Sequence, residues 1–133
     1  MQILAALFID DIDLRQVDGP STRIDLGGVQ FSAAAPTDEA FTWAPHLAVI
    51  VHAPADHSGE GVLEVIFMQD DEQVARNVQP LQVEPGKFNY RLVRAEVEVT
   101  APATIHAHVR LDQNDAVVVP FTHLTPVDAP AAD

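Results

Sequence analysis

The chain has 133 residues, enough for one domain of ordinary size and too few for two independent cores. Of these, 47% are hydrophobic, so a core can form and a wholly disordered chain is excluded. Against 20 Asp and Glu stand only 7 Lys and Arg, a net charge of −13, and such a surface repels phosphate backbones and anionic lipid; neither nucleic acid nor membrane is expected as a partner.

The first apolar run, residues 2–9, is greasy on both sides. As a strand it would put Ile3, Ala5, Leu7 and Ile9 on one face and Leu4, Ala6 and Phe8 on the other. It has no basic residue ahead of it and is cut by Asp10 and Asp11, so it is too short for a membrane span and lacks the flanks of a signal peptide. A cytoplasmic location is expected. A polar loop is expected over residues 10–23. Ile24/Leu26 and Val29/Phe31 then alternate in opposite phases around Gly27-Gly28, and a second polar loop is expected over residues 33–45. In residues 46–53, Leu47, Val49 and Val51 share a face, with His46, Ile50 and His52 opposite.

Residues 62–69 set Leu63, Val65 and Phe67 against a face that still carries Val62, Ile66 and Met68. Asp70-Asp71-Glu72-Gln73 reads as a hairpin turn, because Asp tolerates left-handed backbone, and residues 74–83 as the returning strand. Phe88, Tyr90 and Leu92 alternate in one phase and Val93, Ala95, Val97 and Val99 in the other, which predicts a bulge, bend or turn near Leu92-Val93. The clearest strand is residues 104–111, with Ile105, Ala107, Val109 and Leu111 inward and Thr104, His106, His108 and Arg110 outward. A turn at Gln113-Asn114-Asp115 leads to a last strand over residues 116–124. Most of the ten prolines fall near the ends of these runs, where a missing donor costs least. Together these segments predict an all-β fold, an immunoglobulin-like two-sheet antiparallel sandwich of about seven to eight strands over residues 1–124, with residues 125–133 as a flexible tail.

The chemistry-bearing motifs are sparse. With no cysteine there are no disulfides, thiolate ligands or thiol nucleophile. His106 and His108 share one strand face roughly 7 Å apart, a spacing that metal sites use, and His52, with His46 as a further candidate, would supply a third ligand if its strand were a neighbour. This is the alternative reading, a metal-binding or cupin-like metalloprotein. The acidic clusters Asp10-Asp11-Ile12-Asp13, Asp70-Asp71-Glu72 and Asp112-Gln113-Asn114-Asp115 fall in expected loops, where calcium could be held if they converged; solvated turns are the simpler reading. Asp56-His57-Ser58 has triad residue types, but consecutive residues do not align a relay assembled from distant positions. Catalysis is therefore not expected, and neither is a cofactor.

The order of segments carries a resemblance. An apolar strand ends in acids (Leu7 to Asp11), then come Ile24-Asp25-Leu26-Gly27-Gly28-Val29 and Pro45-His46-Leu47-Ala48-Val49-Ile50-Val51. A hairpin from Val65 through Asp71 to Val74 follows, and a final pair spans Ala103 to Leu111 and Val117 to Phe121. This resembles an uncharacterised family of small bacterial β-sandwich proteins, abundant in actinobacteria, in which the hairpin would carry Asp-Gly where this chain has Asp70-Asp71-Glu72. The resemblance implies an immunoglobulin-like sandwich that is cytoplasmic and non-enzymatic, and it assigns no functional residue.

The surplus in this sequence is apolar side chains on strand faces that ought to be wet. Leu4, Phe8, Ile50, Ile66 and Met68 are accordingly the expected interface of an interaction or structural module that contacts a protein partner or a second copy of itself. A third reading, motivated by the charge alone, is an acidic decoy that occupies a basic groove.

Overall fold

Where every second residue is apolar, an extended chain can close one face against a core while the other stays wet. The computed structural model describes residues 1–15 and 23–127 and is all-β, with twelve strands and no helix among the described residues. In chain order they are β1 (Gln2–Phe8), β2 (Asp11–Arg15), β3 (Arg23–Gly27), β4 (Ser32–Ala34), β5 (Phe41–Trp43) and β6 (His46–His52). The second half holds β7 (Glu60–Gln69), β8 (Glu72–Gln82), β9 (Phe88–Arg94), β10 (Val97–Val99), β11 (Thr104–Leu111) and β12 (Val117–Leu124). The excess over the expected seven or eight lies in short pieces. β2 and β5 occupy the expected polar loops, β4 begins just after Phe31, and β10 is split from β9.

The strands form a five-stranded sheet in the order β4-β12-β11-β7-β8, a three-stranded sheet β1-β6-β9, and two-stranded ladders β5–β10 and β2–β3. All pairs are antiparallel except β4 with β12. One core cluster draws on both larger sheets. Leu47, Val49, Val51 and Val93 come from the smaller, and Leu63, Val65, Phe67, Ile105, Ala107, Val109, Leu111 and Phe121 from the larger. Each large side chain withdrawn from water there stabilises the fold by about 1.5–3 kcal/mol before chain entropy is subtracted.

Two departures from simple alternation have local causes. In β1 the register to β6 shifts between Ile3 and Ala5, so Leu4 is an extra residue pushed outward and 55% exposed. The bulge moves the inward set from Met1 and Ile3 to Ala6 and Phe8, which is why both faces of this run are apolar. Near Leu92-Val93, by contrast, no bulge occurs: β9 pairs with β6 without interruption from His46↔Arg94 to His52↔Phe88. Phe88, Tyr90 and Leu92 are simply on the outward side, paired with His52, Ile50 and Ala48, and the strand breaks later, at Ala95-Glu96.

Turn chemistry follows the side chains available. Gly28 ends β3 at φ +64°, letting its carbonyl and that of Gly27 both accept from the Asp10 N–H at 3.1 and 2.9 Å. Asp70 (φ 54°) and Asp112 (φ 50°) hold left-handed backbone in the two hairpin turns, as their residue type allows. Pro80 and Pro120 lie within strands rather than at their ends. β8 is an edge strand, and β12 meets β4 only from Thr122 onward, so neither proline removes a needed donor. Residues 125–127 follow β12 without regular structure, Val127 being 82% exposed; the remainder of the expected tail lies outside the described residues.

The two aspartates separate backbone strain from hydrogen bonding. Asp112 also accepts the Val62 N–H on Oδ1 at 2.9 Å, while no hydrogen bond to the Asp70 side chain is present among the described residues. Asp70→Gly is expected to raise stability by about 0.5 kcal/mol, the relief of strain less the added chain entropy, and Asp112→Gly to lower it by about 1 kcal/mol. Urea midpoints of the two variants check the opposite signs.

Candidate functional site

Residues paired across antiparallel strands share a face, so the registers assign every outward side chain. On the smaller sheet three outward rows run across β1, β6 and β9: Leu7–Ala48–Leu92, Ala5–Ile50–Tyr90 and Gln2–His52–Phe88. These nine positions hold no Asp, Glu, Lys or Arg, in a chain where 20% of residues are charged. Leu4 (55%) and Phe88 (50%) are exposed at the same end. Ile9 and Ala48 are buried without belonging to the core cluster, so this side has an apolar floor of its own. The next row, His46–Arg94, brings the first charge.

The outward face of the five-stranded sheet is mixed. His106 lies between Met68 and Pro120, and His108 between Ile66 and Val118. The following row carries Arg110 and Glu64, the latter bound by Arg76 at 2.7 Å. Exposed Val62, Val78 and Val118 are interleaved with these polar groups.

The expected interface is therefore not one patch. Leu4 and Ile50 lie on the outward face of the smaller sheet, Ile66 and Met68 on that of the larger, and the core separates them. Phe8 is no surface residue at all. It is 2% exposed because the Leu4 bulge turns it inward, where its ring meets Trp43 and Phe121, each at 5.3 Å. The outward signal that sequence reasoning missed is Phe88, Tyr90 and Leu92, which was there in their phase.

The histidines likewise do not converge. His52 and His46 are outward on the smaller sheet and His106 and His108 outward on the larger, so a core layer about 10 Å thick stands between the pairs. Among the described residues no group of three or more His, Asp or Glu is placed to hold a metal ion. The acidic stretches are likewise spread out. Asp10 accepts from the Gln30 side chain beside Gly28, and Asp112 accepts the Val62 N–H of β7 at 2.9 Å. Asp56-His57-Ser58 is a turn in which His57 Nδ1 accepts the Gly59 N–H at 2.9 Å and Ser58 Oγ the Glu60 N–H at 3.3 Å, which leaves no relay.

One histidine not singled out in the sequence stands apart. His123 on β12 is 4% exposed, with its ring 4.5 Å from Trp43, 5.0 Å from Phe121 and 5.1 Å from Phe41 by centroids. Its Nε2 has no hydrogen-bond partner, and burial pushes its pKa below the ordinary 6.5. A cleft of about 580 Å³ opens elsewhere, beside Pro80, Leu81, Val62 and Arg91, without a cluster of catalytic side chains. Comparison with protein-family models, with curated protein sequences and with solved structures finds no match for this chain.

The opposite fates of Leu4 and Phe8 are directly measurable. Phe8→Ala is expected to cost about 3–5 kcal/mol, as for a large aromatic removed from a packed core, whereas Leu4→Ala costs less than about 1 kcal/mol. Chemical denaturation of both variants distinguishes the bulged register from the unbulged one, in which the order reverses.

Proposed function

We propose that this chain is a non-enzymatic interaction module, an immunoglobulin-like sandwich that associates with a second copy of itself through the outward face of β1, β6 and β9. The observation that carries the reading is the uncharged run of nine outward positions on that face, which includes exposed Phe88 and has exposed Leu4 beside it. An apolar face of this kind loses free energy only while it is wet. Two sheets sharing one core, with outward faces of different character, is the arrangement in which a sandwich turns one face to a partner.

The charge restricts contact with a like partner to this face. Two copies carry −13 each, and contact through carboxylate-bearing surface would set like charges together. The three outward rows avoid that cost. Their flat extent is about 300 Å², from strand and residue spacings, against about 800 Å² per partner in a stable interface. The pair is therefore weak and forms at roughly hundreds of micromolar.

Light scattering at rising concentration is expected to show the mass climbing from 14.4 kDa toward twice that value. The climb steepens between about 0.1 M and about 1 M salt, where the Debye length falls from about 10 to about 3 Å and the repulsion between acidic copies is screened. Leu4→Glu with Phe88→Glu, both at exposed positions, holds the mass at 14.4 kDa, while Val118→Glu on the opposite face leaves association intact. A wild-type chain that stays at 14.4 kDa throughout, or a Val118→Glu variant as monomeric as the double one, overturns the proposal.

A further inference from the structure

His123 is held by the weakest pieces of the fold. Its strand segment pairs on one side with β4, whose three residues align as Thr122↔Ser32, His123↔Ala33 and Leu124↔Ala34. Over its ring lie Phe41 and Trp43 of β5, a three-residue strand paired, among the described residues, only with the three residues of β10. Short ladders with few backbone bonds open before long central ones. Within this enclosure the imidazole finds aromatic faces and no acceptor, its Nε2 unpaired and its surface 4% exposed.

We propose that His123 is an acid-sensitive latch: when the imidazole takes up a proton, the cap formed by β4 and the β5–β10 ladder comes away from the end of the five-stranded sheet.

No carboxylate meets the charged form, and the attraction of the neighbouring ring faces for a cation is its one compensation. The rings that face it are Phe41 and Trp43 from β5 and Phe121 from its own strand, and its ladder partner on β4 is Ala33, so no titratable group comes from these strands. Glu98 of β10 is turned to the other side of its ladder, where it accepts from Thr42 Oγ1 at 2.6 Å. An imidazolium there has lost most of its water without gaining a carboxylate, so the closed cap binds the proton less well than the open cap does. Because the open form holds more protons, closure is fully favoured above the ordinary histidine value of 6.5 and weakens as pH falls below it.

Trp43 is the sole tryptophan and sits against this ring, so its emission reads the latch directly. Lowering the pH from about 7.5 to about 5, a range that brackets ordinary histidine titration, is expected to shift the wild-type emission to longer wavelength while far-UV circular dichroism is unchanged. In His123→Phe, which fills the enclosure without a titrating nitrogen, that step disappears. Hydrogen exchange of the unmodified chain gives a second reading that needs no variant. Peptides covering β4 and β5 lose protection as the pH falls below about 6.5, by at most about tenfold for each pH unit, while those of β7 and β11 keep it. The proposal is overturned by an emission step that persists in His123→Phe, or by protection in β4 and β5 that is indifferent to pH or falls in parallel with that of β7 and β11.

Discussion

Everything in this molecule answers to one dry layer, the meeting of Leu47, Val49 and Val51 from β6 with Leu63, Val65 and Phe67 from β7, and with the inward residues of β11 beside them. All six of these side chains, and Ile105, Ala107 and Val109 of β11, are wholly withdrawn from water. Since side chains alternate along a strand, placing these residues inward also fixes what their immediate neighbours do. Ile50 and His52 are outward because Val49 and Val51 are inward, and His106 and His108 are outward because Ile105, Ala107 and Val109 are not. A one-residue slip in either central strand would exchange the whole set, and the resulting burial of histidine, arginine and glutamate forbids it.

The central strands were legible in the residues for this reason. β6, β7 and β11 keep period two over their whole length, and their inward and outward sets are those that alternation predicts. What alternation cannot show is an inserted residue. The apolar run of β1 has no polar position to mark the bulge, so Phe8 reads as the outward partner of Leu4 when it is the inward one. The switch at Leu92-Val93 has the opposite character, for an outward apolar set looks like a break in the strand when in fact the strand continues and its wet side is greasy. Nor does one strand's pattern tell which sheet it joins. His52 and His106 read as possible neighbours because both are outward, although they are outward on different sheets with the core between them.

The sides where β8 and β9 face each other are handled by polar groups. Both are edge strands, and an open edge invites pairing with another chain. Asn77 of β8 donates to the Arg94 carbonyl at 3.2 Å and Asn89 of β9 to the Gln82 carbonyl at 2.9 Å, so side chains tie the two sheets where no backbone ladder joins them. Asn77, Gln79, Asn89 and Arg91 occupy inward registers that in the central strands hold valine and leucine. With Pro80 lacking a donor, this margin favours neither a dry core nor an added strand.

His123 is harder to account for by packing. The aromatic group around it runs on through Trp43 to Phe8 and Phe121, with ring centroids 4.7 to 5.3 Å apart, and ties β1, β5 and β12 together. A phenylalanine at this position would extend the group with no polar atom to satisfy. An imidazole instead leaves Nε2 unpaired, which costs about 1–3 kcal/mol in a buried setting. That is a substantial part of a small domain's net stability of about 5–15 kcal/mol. The penalty is also unevenly placed, for it falls on three-residue ladders that have little else holding them and not on β7 or β11, where the surrounding structure could absorb it. A group that weakens only the margin while sparing the centre sets a difference in stability between the two, and the proton changes the size of that difference.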